Sequence, residues 1–423
     1  MDGVTISALG ALVGLAFSIV FIFIKIPPVY SLMLGAIIGG LVGGASLVQT
    51  LAVMTGGAAG MMTTILRILA AGVLAGTLIK SGAADSIART IIKALGEKRA
   101  LLALALSTLV LTSVGVFVDI AVITVAPIAL AVAKQAGYTK TGILIAMIGG
   151  GKAGNMLSPN PNAIAVSSAF ELPLTTVMAA GIGPAIVGVI LAFIIAKKLQ
   201  HKGSPITDAD LSADVKADDL PPFGKAIVGP VVAIACLALR PIAGINIDPM
   251  LALPLGGIVG ALVMGKAKKT LEFATFGLGS MTGVAIILIG TGTVAGIIQT
   301  SELGDTIINV VQGLGIPMYL LAPIAGILMS AATASTTSGS TVAAQVFGPT
   351  LTAAGVSKVA AASMIHTGAT VLDHLPHGSF FHATGGSVRM EFKERLGLIA
   401  FESLIGLALT LTSLILFGVI KLA

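Results

Sequence analysis

Long apolar runs follow one another from end to end of this chain, and each is closed by a short polar or basic stretch. At 1.5 Å per helical residue, most of these runs are long enough for the ~30 Å hydrocarbon core of a bilayer. The pattern predicts one span before Lys25 and others over residues 29–48, 52–79, 141–170, 174–196, 224–243, 249–264, 273–299, 359–384 and 396–420. Residues 100–134 are different: they are apolar, but their basic flanks put both ends on one side, which predicts a re-entrant hairpin, and 317–353 is predicted as a second hairpin that opens from outside. The short alternating segments of a membrane β-barrel are missing. The fold expected is an all-α polytopic membrane protein.

One polar insert, KKLQHKGSPITDADLSADVKADDLPP at 197–222, divides the chain. It has too few apolar residues to bury a core and reads as a solvated cytoplasmic linker. The parts on either side, 1–196 and 223–423, resemble each other. AGTLIKSGAADSI at 75–87 matches AGIIQTSELGDTI at 295–307, and AGYTK at 136–140 matches AGVSK at 354–358. The match implies a duplicated unit of about five crossings, one hairpin and one broken helix. Basic residues follow the first span at Lys25, flank the first hairpin at Lys98, Arg99, Lys134 and Lys140, and follow later spans at Lys197, Lys266 and Arg395. Read as cytoplasmic charges, they put both termini outside and invert the second unit relative to the first.

Composition narrows the class further. The chain is 56% hydrophobic and 10% charged, with a mean hydropathy of +1.05, too apolar for a soluble protein of 423 residues. The net charge of +6 sits at helix ends, where it sets topology, so no nucleic-acid partner is expected. A single cysteine, Cys236, excludes a disulfide framework. The start, MDGVTIS, has no basic region, so no cleaved signal is expected.

The candidate chemistry lies where the apolar pattern is interrupted. GGGKAGNMLSPNPNA at 149–163 and HTGATVLDHLPHGSF at 366–380 are repeat mates, with Gly150 on Gly368 and Leu157 on Leu375. Pro159, Pro161 and Pro376 each remove a backbone donor and prevent a straight helix. Broken helices leave free N–H groups at the start of their second halves, which suits an anionic solute. Lys152 reads either as counter-charge for a substrate carboxylate or as ion-pair partner of Asp373. Asn155, Ser158, Asn160 and Asn162 read as bonding substrate hydroxyls or unwound backbone, and His366, Thr367 and Thr370 join the substrate-binding candidates. Asp373, His374 and His377 are titratable groups at membrane depth and are candidates for proton coupling. His382 reads as a solvated group at the rim. The two hairpin tips add Asp119, an isolated acid that is the best single proton carrier, and Thr336, Thr337, Ser338 and Ser340 in the run TASTTSGS. For that run the bland reading is small-residue packing; for Asp119 it is a buried acid bonded to Ser113. Asp85 and Asp305 open amphipathic helices and read as N-terminal acids rather than site residues.

GGGKAGNMLSPNPNA, TGATVLDHLPHGSFF and the closing FKERLGLIAFESLIG resemble the gluconate permease (GntP) family of the ion transporter superfamily, and the resemblance covers essentially the whole chain. It implies proton-coupled symport of gluconate or a related sugar acid in an inner membrane, with no cofactor. It also implies a homodimer in which hairpins and broken helices move as a transport domain against a scaffold. The stretch LSPNPNA departs from a Pro-Pro-His-Pro-Gly type pattern in the family, which leaves other hydroxycarboxylates open as substrates. A sodium-coupled di- or tricarboxylate symporter is the near alternative, since the hydroxyl-rich tip suits Na⁺ as well. A membrane metallopeptidase lacks its HExxH helix, no metal site is expected, and a channel lacks a carbonyl filter or charged ring.

Overall fold

In the computed structural model, residues 5–96, 99–211 and 220–422 are described. The N-terminal residues 1–4, Lys98 before the first hairpin, and 212–219 of the linker lie outside them. The fold is all-helical: the described residues carry only isolated bridges, Ile6 with Ser301 and Thr139 with Pro205.

The first half runs α1 (Ala8–Phe23), α2 (Pro28–Val42), α3 (Leu47–Gly60), α4 (Met62–Lys80) and α5 (Ala83–Leu95). A hairpin of α6 (Ala100–Ser113) and α7 (Val118–Gln135) follows. Then come α8 (Lys140–Asn155), α9 (Pro161–Ala169), α10 (Leu174–Ala180) and α11 (Ile182–Leu199). The second half repeats the order with α12 (Phe223–Ala226), α13 (Val228–Ala243), α14 (Pro249–Val263), α15 (Thr270–Gln299) and α16 (Leu303–Gly313). Its hairpin is α17 (Leu321–Thr333) and α18 (Thr336–Ala353), followed by α19 (Lys358–Gly368), α20 (Ser379–Ser387), α21 (Phe392–Leu396) and α22 (Ile399–Ser413).

Local chemistry sets the boundaries. Ser7 caps α1 through the Gly10 N–H at 3.2 Å, Ser46 and Gln49 form a reciprocal capping box on α3, and Pro28 and Pro249 occupy first-turn positions where a missing N–H costs nothing. Asp85 and Asp305 both stand in the first turn of their helices, α5 and α16. Six helical segments among the described residues are long and apolar enough to cross a membrane, or seven if the bent pair α9 and α10 is one span. The five crossings expected in each half require shorter apolar helices such as α1, α2 and α14 to be counted as well. The predicted span 52–79 is interrupted at Met61, whereas its repeat mate α15 runs unbroken for 30 residues.

The halves meet where α3 and α4 cross α15. A Cβ added at Gly57 would lie 2.9 Å from the Gly296 Cα, and one at Gly76 would lie 2.9 Å from the Gly277 Cα. Gly57 meets Gly296 and Gly76 meets Gly277, so the crossing is antiparallel. Backbones approach this closely only where side chains are absent. Around this crossing α2 packs on α15 and α14 packs on α4. A second group forms from the hairpins and broken helices: α6 packs on α8 and α17 on α19, while α9 crosses to α18 and α20 to α7 of the other half.

The start of the linker is not free in solvent, as its composition suggests. Ser204 donates from its N–H and hydroxyl to Glu394 at 2.8 and 2.6 Å, Asp208 pairs with Lys134, and Asp210 pairs with the buried Lys140 at 2.7 Å. A buried lysine needs a counter-charge, and the linker supplies it. Burial opposes ionisation of Asp210, but bonds from Lys140 and Thr207 prevail and hold its pKa at about 2, down from 3.8. Its stabilising contribution is therefore full above the ordinary value and is lost only as pH falls through about 2.

Candidate substrate site

The first break is made by Pro161 at the start of α9 and by Asn160, whose side chain accepts from the Ala163 N–H at 3.0 Å. Asparagine side chains then close the gap. Asn160 donates to the Asn155 carbonyl at 3.0 Å and also to its side chain, and Asn162 donates to the Asn155 side-chain oxygen at 3.2 Å. Amides carry both donors and acceptors, so they satisfy unwound backbone without placing a charge there.

The second break, between Gly368 and Ser379, is organised by ions. Lys152 reaches it from α8 with an ammonium that is 1% exposed. It donates to Asp373 Oδ1 at 2.6 Å and to the Thr370 carbonyl at 2.6 Å, and lies 3.0 Å from His374 Nδ1. His374 Nε2 lies 3.0 Å from the Ile399 carbonyl, an acceptor only. Its Nδ1 lies 3.0 Å from Asp373 Oδ1 as well as from the Lys152 ammonium, so His374 belongs to the same buried polar cluster. The other Asp373 oxygen accepts from Thr336 of the second hairpin tip at 2.5 Å. Behind His374 lies a second buried pair, Arg395 with Glu402, held also by the Phe381 carbonyl and the Thr384 hydroxyl.

The hairpin tips reach both breaks. The first turns over Val114–Phe117, using Gly115 at φ +105°. The second turns at Ala334, a left-handed residue at φ +45°, whose carbonyl packs so closely on Gly378 that a Cβ there would lie 2.6 Å from it. Thr337 donates to the Asn162 side chain, tying this tip to the first break. Tips and breaks together enclose a cavity of about 410 Å³. Its lining comes from the first turn of α7 (Val118, Asp119, Ile120), of α18 (Thr336, Thr337), of α20 (Ser379, Phe380) and of α9 (Asn162). Four helix N-termini thus converge on one space. Asn155, Ser335 and Asp373 complete its polar wall, with Ala75 and Ile79 of α4 and Ser280 and Val284 of α15 opposite.

The family model described as GntP family permease matches residues 5–420. The chain belongs to that family. The permease is 57% identical over 417 residues, 99% of each chain, to a protein of Haemophilus influenzae (strain ATCC 51907 / DSM 11121 / KW20 / Rd) described as an uncharacterized transporter. It is 23% identical over 251 residues, 52% of this chain and 55% of the other, to the D-serine transporter DsdX of Escherichia coli (strain K12). Two solved structures share its fold: the YdaH transporter of Alcanivorax borkumensis (TM-score 0.66, 15% identity, 97% and 98% of the two chains) and MtrF of Neisseria gonorrhoeae, described within a class of antimetabolite efflux pumps (0.62, 14%, 94% of each).

Within this transporter the residues singled out by sequence fall into three places. Asp119, Asn155, Asn162, Thr336, Thr337 and Asp373 line the cavity. Lys152, Ser158, Asn160, Ser338, Ser340, His366, Thr367, Thr370 and His374 are buried outside its lining. Thr367 and Thr370 bond carbonyls of their own segment at 2.9 and 2.7 Å, and Ser340 bonds the Thr337 carbonyl at 3.3 Å. His377 is exposed, with Nε2 3.3 Å from the Ala332 carbonyl, and His382 is exposed as well. Of the two readings of Lys152, the structure contains the ion pair with Asp373. Ser113 bonds the Val110 carbonyl rather than Asp119.

One further expectation changes. Arg395 is not a solvated topology charge: it is 1% exposed and neutralised by Glu402. Sequence reasoning also missed Glu402, although its spacing of seven from Arg395, two helical turns, was the available signal. Ser335, Ser280 and Ser379 went unnoticed because serine in a membrane helix normally bonds its own backbone.

Proposed function

We propose that this permease carries a small hydroxylated carboxylate of the sugar-acid type, gluconate or a close relative, with protons as the coupling ion. The observation that carries the proposal is the convergence of four helix N-termini on one polar cavity. Each presents the positive end of a helix dipole, and a carboxylate is the small-molecule group that such ends favour. Hydroxyls and amides from Asn155, Asn162, Thr336 and Thr337 suit the substrate's hydroxyl groups. Lys152 is already spent on Asp373, so the dipoles rather than a lysine attract the anion.

Asp119 supplies the coupling logic. It lines the same cavity, and among the described residues no cation partners it. An ionised Asp119 repels the substrate anion, so proton uptake there and anion binding favour each other reciprocally. The antiparallel glycine crossing supports an inverted repeat. The mutual packing of hairpins with broken helices supports an elevator motion against α1, α2, α13 and α14, in a homodimer in the inner membrane with both termini outside. A second reading, a hydroxylated amino acid, draws on the likeness to a D-serine transporter. There Asp119 meets the substrate ammonium.

The test is uptake of labelled gluconate, other hydroxy acids, citrate and D-serine by proteoliposomes under imposed proton or sodium gradients. A hydroxy acid is expected to accumulate with the proton gradient and without sodium. Accumulation driven only by sodium sinks proton coupling. Accumulation of D-serine alone favours the second reading.

A further inference from the structure

At one end of the fold, where α6 begins, α7 gives way to α8 and α11 ends, lies a cavity of about 300 Å³ remote from the substrate site. Its polar wall is Arg99, Lys197, Tyr138 and Gln200; its floor is Leu101, Leu102 and Phe193. Among the described residues no acidic residue lines it. Three other cations have carboxylate partners, Lys134 with Asp208, Lys140 with Asp210 and Arg395 with Glu402. Arg99 and Lys197 have none among the described residues. Two cations left facing one pocket repel each other and are stabilised by an anion placed between them.

A second feature says what kind of anion. Ile182, Ile186, Ile190 and Ile194 stand four residues apart on α11 and are all exposed. They form one apolar stripe about 18 Å long at 1.5 Å per residue, and its next positions are Lys197 and Lys198. An apolar track that ends in a basic pocket with a phenol and an amide matches a molecule that is anionic at one end and hydrocarbon beyond. Tyr138, packed against the His201 ring at 5.9 Å, is amphipathic in the way that residues at the head-group level are.

We infer that this cavity is a binding site for an anionic glycerophospholipid. Its phosphodiester is held between Arg99 and Lys197, and one acyl chain lies along the α11 stripe. Basic pockets between membrane helices recognise such head groups through the same chemistry. Tyr138 and Gln200 donate to the remaining phosphate oxygens, and Leu101, Leu102 and Phe193 cover the glycerol end. The bound lipid bridges the first hairpin and α11, so its occupancy bears on how firmly that hairpin is anchored. The site does not depend on which solute the permease carries.

The test is lipid retention by the whole purified protein, read by native mass spectrometry after equal exposure to phosphatidylglycerol and phosphatidylcholine. The wild type is expected to retain phosphatidylglycerol about tenfold to thirtyfold better, the contribution of two cations near a head group. Arg99→Gln combined with Lys197→Gln is expected to remove that preference. Lys198→Gln, an exposed lysine outside the cavity lining, is expected to leave it intact. Three results overturn the proposal. Abolition of the preference by Lys198→Gln as full as that by the double variant makes the effect one of general surface charge. Inorganic phosphate that displaces the lipid and gives equal protection against thermal unfolding points to a free-phosphate site. A double variant that changes oligomeric mass while retaining lipid points to a subunit contact.

Discussion

The break between α8 and α9 and the break between α19 and α20 hold equivalent places in the two halves, yet they are built from different chemistry. The first is knit by Asn155, Asn160 and Asn162 and carries no charge in its gap. The second contains Asp373 and His374 and borrows Lys152 from the first half. The hairpin tips differ in the complementary sense: the first has the acid Asp119, and the second has only hydroxyls at Ser335, Thr336 and Thr337. The two halves therefore divide the labour. One side of the cavity offers neutral hydrogen bonds and a titratable acid, and the other offers hydroxyls fixed by a buried ion pair.

The sharpest way to break this comparison is Lys152→Met. Removing one partner of a buried pair leaves Asp373 charged and uncompensated, at a cost of about 3–5 kcal/mol. The variant is expected to unfold at markedly lower temperature, and Lys152→Met with Asp373→Leu is expected to recover part of the loss. A single variant of normal stability that merely binds substrate poorly would assign Lys152 to the substrate instead. Next in size is Asp119→Asn, which imitates the protonated acid. Concentrative uptake is expected to vanish while counterflow exchange persists; undiminished accumulation would remove Asp119 from coupling. If the substrate is an amino acid, exchange is lost as well.

Smaller effects sharpen the division between the tips and breaks. Thr336→Val removes a hydrogen bond to the ionised Asp373, the kind worth about 1.5–3 kcal/mol, so the half-saturating substrate concentration is expected to rise about tenfold or more. The measurement is initial uptake rate against substrate concentration, and an unchanged value would detach this contact from the site. Least affected is His382→Gln, at an exposed position away from the cavity. Its stability is expected to stay within about 0.5 kcal/mol of wild type, with unchanged uptake. A large transport defect there would show that the second half's histidines act beyond the buried pair.

Much of this architecture is legible in sequence because membrane helices announce themselves by apolar length and broken ones by proline and polar residues. GGGKAGNMLSPNPNA and HTGATVLDHLPHGSF mark both breaks, and TASTTSGS marks one tip. Pairing was harder to read. Nothing local shows that Lys152 is taken up by Asp373 and the Thr370 carbonyl, or that Arg395 turns inward to Glu402 while Arg389 stays at the surface. Partner choice depends on which helices pack together, and that is set by long-range glycine contacts such as Gly57 with Gly296. The linker misled for the same reason: its composition is that of a solvated segment, but Asp210 is claimed by a lysine some 70 residues earlier in the chain.

The central claim is that the cavity at the four helix N-termini is where the transported acid sits. Ser280 lines it from α15 without belonging to either break, and Cys236 is the chain's only cysteine. Ser280→Cys in a Cys236→Ser background therefore gives a single reporter thiol in the cavity. The rate of its labelling by a small charged thiol reagent, measured with and without the transported hydroxy acid, tests the claim directly. Substrate is expected to slow labelling severalfold at saturating concentration, with no effect on a thiol placed at His382. Equal rates at Ser280→Cys with and without saturating substrate would contradict the account.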